Sequence, residues 1–320
     1  MELLEGGELT ESGDEEINRD KNEEALIDEE INDEEITAQI KRLKKKKAAG
    51  EDKIQNEALI YMEGKAKIKW MESLKQIWNE MAIPKRWRKA VISPIFKKGD
   101  NSNPSSYRGI SLLDTSYKVY ASILTKRISD EVEDKGLLPE SQAGFRKSRS
   151  TIDNIYALNY LVEKVINQPG GVLYAFFIDF SAAFDTIDRN LLWDKMQKFG
   201  ISRGLIDRVK DIYKVTTCTV RIGDIETKEF LTTKGLRQGC PLIPILFALY
   251  IADLDQVLEK GQAGGVVIGK YKVMSLAYAD DIVILAKTVR EMIEMLGRLE
   301  RYIKKRKLYL NVEKSKMMVF

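Results

Sequence analysis

The sequence predicts a mixed α/β (α+β) fold, and three observations carry that expectation. Residues 172–178 form an apolar run of strand length behind Pro169-Gly-Gly. Residues 273–285 read as two strands folded back on the pair Asp280-Asp281. Between such runs, apolar residues recur at the three- and four-residue spacing of helices. In chain order, Ile36, Ile40 and Leu43 mark a short amphipathic helix with a basic end at residues 44–47, and more helix is expected over about 54–81. Residues 90–96 read as a strand bounded by Pro84 and the turn Lys98-Gly99-Asp100. Asp114 is placed to cap a helix that turns Tyr117, Tyr120, Leu124 and Ile128 inward, and Thr151 one that buries Ile152, Ile155, Leu158 and Val162.

After the strand at 172–178, a helix is expected to end at Phe199, with Gly200 as its stop. Strands near 216–222 and 226–233 lead through Gly235 to an apolar helix from about Pro241. Thr288 and Glu291 form a capping box before a helix with Met292, Leu296, Leu299 and Ile303 inward. Residues 315–320 read as a last strand with an unpaired apolar edge, which implies that the chain stops inside a larger fold.

Composition narrows the chemistry. The 320 residues, 44% apolar and 8% aromatic, can fill about two domains. There is no histidine, which excludes Ser-His-Asp and Cys-His nucleophiles, HExxH zinc sites and any imidazole general base. Cys218 and Cys240 alone make neither a disulfide framework nor a zinc knuckle, so an intracellular setting, nucleus or cytoplasm, is expected. The longest apolar stretch, around 242–251, is short and broken by Pro244, and the N-terminus is acidic; neither a membrane span nor a secretory leader is expected. The net charge of +3 conceals an asymmetry. Residues 1–36 hold 16 Asp and Glu against Arg19 and Lys21, a net of −14, which leaves +17 on residues 37–320. A body that basic suits an anionic partner, nucleic acid first, while the acidic head reads as disordered up to about residue 32.

Three carboxylates stand where apolar runs end: Asp179 after the buried strand, and Asp280 and Asp281 at the tip of the hairpin. Like charges about 4 Å apart repel by roughly 4 kcal/mol at an effective dielectric near 20, so a cluster delivered on apolar strands asks for a cation. Two Mg²⁺ ions would activate a hydroxyl and neutralise a leaving phosphate without histidine, and Mn²⁺ could replace them. An Asp pair can equally well serve only as a turn.

The neighbouring residues resolve the alternatives. Phe177-Ile-Asp-Phe-Ser-Ala-Ala-Phe-Asp185, Leu236-Arg-Gln-Gly-Cys-Pro-Leu242 and Tyr278-Ala-Asp-Asp281 resemble three successive palm motifs of reverse transcriptases. Tyr107-Arg-Gly-Ile-Ser-Leu-Leu113 and the segment from Gln142 through Arg146 and Arg149 to Thr151 resemble fingers segments of non-LTR (LINE-type) retrotransposon enzymes. Leu310-Asn-Val-Glu-Lys-Ser-Lys316 resembles the next palm motif. The resemblance implies a right-hand polymerase fold with fingers over about 33–170 and a palm with an antiparallel sheet over 171–320. It implies that primer grip and thumb would follow Phe320, so that this chain should bind nucleic acid and extend primers poorly.

The activity so implied is RNA-directed DNA synthesis on an RNA template, a DNA primer and dNTPs, with Asp179, Asp280 and Asp281 holding the metals. Phe184 matches the position that excludes a ribose 2′-hydroxyl. Gln238 and Gly239 match the loop that touches dNTP and template, Arg108 and Lys97 the basic positions over the triphosphate, Lys314 a proton donor to pyrophosphate, and Arg146 and Arg149 contacts to the template backbone. Gly109, Ser148 and Ile243 stand where the family usually has Pro, Gly and a small polar residue. Two other readings are a truncated retroelement relic that binds nucleic acid without polymerising, and a palm-type nucleotidyl cyclase; the basic fingers and Arg237-Gln-Gly-Cys-Pro oppose the second. Oligomeric state is not legible.

Overall fold

The computed structural model describes residues 29–320. The acidic head expected over 1–32 lies outside the described residues as far as residue 28, but its last residues are built into the fold. Ile31 is fully buried, and Arg127 donates to the carbonyls of Glu29 and Glu30.

The chain begins with α1 (Asp33–Lys41), α2 (Asn56–Ile60) and α3 (Gly64–Glu80), followed by β1 (Lys89–Phe96), β2 (Tyr107–Leu112), α4 (Thr115–Asp134) and α5 (Thr151–Ile166). It continues with β3 (Tyr174–Ile178), α6 (Arg189–Lys198), α7 (Arg203–Tyr213), β4 (Thr216–Ile222), β5 (Ile225–Glu226) and β6 (Phe230–Thr232). It closes with α8 (Ile243–Ile251), α9 (Leu254–Glu259), β7 (Val266–Ile268), β8 (Tyr271–Val273), β9 (Ser275–Tyr278), β10 (Asp281–Ala286), α10 (Val289–Lys305) and β11 (Lys316–Val319).

Two main sheets organise the molecule. One runs β2-β1-β4-β5 with β6 also on β4; β1 and β4 are parallel and the other pairs antiparallel. The other, β11-β3-β10-β9, is antiparallel throughout, as expected of a palm sheet. Its strands alternate between two cores: Ile282, Ile284 and Ala286 of β10 face the larger one, Val283 and Leu285 the smaller one under α5. Burial on both faces explains why these strands read as continuous apolar runs. The all-apolar α8 is buried on every side in the larger core, which also holds the Trp78, Trp87, Tyr117 and Tyr120 ring cluster.

Several local expectations shift. The helix over 54–81 is two helices, because Glu63 is extended and restarts the chain as the N-cap of α3. The Asp114 carboxylate does not cap α4; it is taken by Arg86 (2.8 Å) and the Asp52 N–H. Ser150, not Thr151, caps α5, in a box with Asp153. Ile152 and Ile155 are exposed, Ile155 on a cleft between the first turns of α5 and the sheet, and only Leu161 and Val165 are fully covered. The last strand is paired on one side, with β3, while Met317, Met318 and Val319 remain exposed. The Thr288–Glu291 capping box forms as read.

Candidate active site

The palm sheet delivers the three carboxylates to one end. Asp179 follows the last residue of β3, Asp280 lies in the β9–β10 turn, and Asp281 opens β10. The register Ile282↔Ile178 sets Asp281 across from Asp179. Both border a cleft of about 370 Å³ shared with Tyr278, Asn154, Ile155 and Lys314.

The backbone of Asp179 is held by the segment that was singled out near residue 310. The Asp179 N–H donates to Ser315 Oγ (3.0 Å), and its carbonyl accepts from the Asn311 N–H (2.8 Å). Its Oδ2 is buried and has no hydrogen-bond partner; Lys314 Nζ stands 3.5 Å away as an ion pair. Burial, and after it the charges of Asp281 and Asp179, pushes the Asp280 carboxyl above the usual range, opposed by the charge of Arg108. Asp280 therefore senses the other two acids, and the Asp179 oxygen beside them is met only by the Lys314 charge.

Among the described residues no group of three or more His, Cys, Asp or Glu stands close enough together to hold a metal ion without further ligands. That is compatible with Mg²⁺, which keeps several waters and is commonly held by one or two carboxylates together with substrate phosphates. The Asp179 oxygen that accepts no hydrogen bond and the all-oxygen donor set fit such an ion.

Residues of β1 and β2 and the loop around Gln238 converge on the same region. Arg108 on β2 and Lys97 just past β1 are exposed, and both charges act on Asp185, as that of Arg108 does on Asp280. Gln238 joins them: its backbone carbonyl accepts from the Ser111 N–H (2.7 Å) and its Nε2 donates to Asp185 Oδ2 (2.8 Å). Desolvation pushes the Asp185 carboxyl up against these three partners. Gly239 has φ +109, and a Cβ there would stand 2.9 Å from the Ser111 carbonyl, so the loop can lie on β2 only with glycine. Phe184 is half-buried, its ring edge-on to Phe247 at 5.1 Å, and its carbonyl ties the Leu236 N–H.

The template role expected of Arg146 does not suit its placement. Its guanidinium is 8% exposed, bonded twice to Glu133 at 2.8 Å and to the Pro139 and Gln142 carbonyls; it is a strut between α4 and the following loop. The carboxylate offsets the cost of burying the guanidinium charge. Arg149 is more open and pairs with Glu140.

Sequence reading missed Asp185 as a site residue, although it closes a quoted motif, and it missed Gln142. The latter lies in sequence far from the Asp pair, yet its side chain is bonded to the turn between β9 and β10. Arg237, almost wholly buried, lies over the Tyr117 ring and donates to the Trp87 carbonyl at 2.6 Å, anchoring the loop that carries Gln238. No helix among the described residues is long and apolar enough to cross a membrane.

Comparison with known proteins identifies the family. A protein named "Retrovirus-related Pol polyprotein from type-1 retrotransposable element R2", from Popillia japonica, is 27% identical over 234 residues, 73% of this chain and 32% of that protein. The "Probable RNA-directed DNA polymerase from transposon BS" of Drosophila melanogaster is 28% identical over 301 residues, 88% of this chain and 31% of its own length. The "RNA-directed DNA polymerase from mobile element jockey" of Drosophila funebris is 27% identical over 284 residues, 87% and 30% respectively. The chain thus spans about a third of the length of these curated relatives. In fold it is similar to a solved apo telomerase from Candida tropicalis truncated from its C-terminal domain, with a TM-score of 0.52 and 16% identity, covering 79% of this chain and 55% of that one. Residues 95–319 match the family described as reverse transcriptase (RNA-dependent DNA polymerase), and the chain belongs to that family.

Proposed function

We propose that this chain is the fingers and palm of an RNA-directed DNA polymerase of a non-LTR mobile element, acting inside the cell on an RNA template, a DNA primer and dNTPs. The observation that carries the reading is the meeting of Asp179 with Asp280 and Asp281 at one end of the antiparallel sheet, where a buried Asp179 oxygen accepts no hydrogen bond and has only the Lys314 ammonium, 3.5 Å away, beside it. Asp179, Asp280 and Asp281 would hold two Mg²⁺ ions, or Mn²⁺ in their place, which when bound supply charge neutralisation for nucleotidyl transfer.

The chain's own residues do the rest. Arg108 and Lys97 present cationic donors to the triphosphate from β2 and the end of β1. Gln238, fixed by Asp185, would face the dNTP and template, on a loop that Gly239 lets lie against β2. Phe184, braced by Phe247, would bound the sugar and exclude a 2′-hydroxyl. Lys314, 3.5 Å from Asp179, is placed to donate a proton to departing pyrophosphate. Arg149 is the surface cation offered to the template backbone, provided that a phosphate displaces Glu140.

The test is single-nucleotide addition to a DNA primer on an RNA template, with Mg²⁺ titrated from zero and dNTP compared with rNTP. Metal-dependent addition that prefers dNTP supports the reading. Salt-sensitive template binding with no addition at any Mg²⁺ or Mn²⁺ concentration would favour the non-polymerising relic.

A further inference from the structure

We propose that Gln142 is the positioning residue of the Asp280-Asp281 turn, its buried carboxamide fixing where those carboxylates stand; this rests on the polymerase reading of the same site. Gln142 is 2% exposed. Its Oε1 accepts from the Gly144 N–H (2.8 Å) and the Ala279 N–H (2.9 Å), and its Nε2 faces the Ala279 carbonyl at 3.4 Å. One side chain thereby satisfies both backbone groups of the residue immediately before Asp280.

That residue needs holding. Ala279 has φ +58, a left-handed conformation that side chains with a Cβ avoid and that persists only where the surroundings impose it. The surroundings here are the 141–144 segment, which lies along β9. The Ala277 N–H donates to the Ser141 carbonyl and the Ala143 N–H to the Ala277 carbonyl, both at 2.8 Å, and Asn154 Nδ2 reaches the Ala277 carbonyl at 2.9 Å. Asp255 receives the hydroxyls of both Ser141 and Ser275, tying the segment and the strand to the start of α9. Gly144 lets the two backbones meet, since a Cβ there would stand 2.3 Å from the Ala279 nitrogen. The fingers loop and the catalytic hairpin are one hydrogen-bonded unit, and Gln142 is its link to the turn.

The experiment uses the whole chain with two replacements. Gln142→Met keeps the length and bulk but removes the carboxamide acceptor, and Gln142→Glu restores an acceptor oxygen. Amide exchange is followed at Ala279 and Gly144, with Val283 and Ile284 as internal references, alongside primer extension at saturating dNTP. In Gln142→Met, Ala279 and Gly144 should exchange at least about tenfold faster while the references hold. Turnover should fall on the order of 10²-fold, with the dNTP KM changed by less than about threefold, as for a misplacement of about 1 Å. Gln142→Glu should recover turnover to within about tenfold of the parent.

Parental turnover in Gln142→Met would overturn the proposal, and so would a loss of protection shared equally by Val283 and Ile284, which marks a general packing role. If the parental chain itself adds no nucleotide, the polymerase reading fails, while the Ala279 exchange comparison still decides whether Gln142 holds the turn.

Discussion

Gly144→Ala probes the contact between the 141–144 segment and the β9–β10 hairpin with the smallest possible change. A methyl group added at Gly144 would lie 2.3 Å from the Ala279 nitrogen, 2.8 Å from Gln142 Oε1 and 2.9 Å from the Tyr278 carbonyl carbon. Two of these are backbone atoms of the turn that carries Asp280, so no flexible side-chain end can simply swing away. Restoring ordinary contact requires the two segments to part by about 1 Å. Both are anchored behind, the loop through Ser141 to Asp255 and the strand through its pairing with β10, so the displacement concentrates at Ala279 and Asp280. A 1 Å error at a reacting centre costs on the order of 10²-fold in rate, equivalent to about 2.7 kcal/mol. The assay is single-turnover addition of one dNTP to a primer on an RNA template, with thermal unfolding measured on the same samples. The expected result is a turnover loss near 10²-fold in a chain that still unfolds cooperatively, with little change in template affinity. Turnover within threefold of the parent would refute the claim that this contact sets the position of Asp280.

Other consequences are accessible to simpler measurements. Phe184→Ala should lower discrimination against rNTP by roughly 10- to 10²-fold, the range for steric exclusion of one small group. Because Phe184 is only half-buried, its stability cost should be about 2 kcal/mol, below the 3–5 expected of a fully buried Phe, and unchanged discrimination in a folded variant would reduce it to a packing residue. Burial lowers Lys195 to about 8 despite its pairing with Asp253. Between about pH 8 and 10 the unfolded chain then holds a proton that the folded chain has released, so stability relative to Lys195→Met should rise with pH, by at most about 1.4 kcal/mol per unit. Denaturant unfolding across that window checks the sign, and a falling difference would contradict it. Template binding should weaken steeply with salt, with a log–log slope of about −0.7 per phosphate contact on single strands; a flat salt series would separate the +17 of residues 37–320 from nucleic acid.

What could be read from sequence, and what could not, follows from the range of the interactions. Residues 172–178 and 273–285 are legible because period-2 burial on both faces of a sheet leaves an apolar run, and their ends mark the three carboxylates. The Thr288–Glu291 box is legible because capping is local. The inward face of α5 is not fully legible, because helical spacing identifies a stripe and not whether its neighbour packs closely; Ile155 borders an open cleft over the sheet instead of being covered by it. Asp114 looks like a cap until Arg86, 28 positions away, claims its carboxylate. Arg146 has the same history, since a basic residue beside a resembling motif suggests a phosphate, whereas Glu133 shows that it is already paired. The link from Gln142 to Ala279 spans 137 positions, and no local rule predicts it.

The central claim is that Asp179, Asp280 and Asp281 form one metal-binding catalytic centre. Single-turnover addition of a dNTP to a primer on an RNA template, measured for the parent, Asp179→Asn and Asp280→Asn at matched template occupancy, tests it most directly. The account predicts Mg²⁺-dependent addition by the parent that a chelator abolishes, a loss of at least about 10³-fold in each variant, and unchanged folding and template binding, because neutralising either acid removes a metal ligand and spares the core. Near-parental addition by folded Asp179→Asn would contradict it.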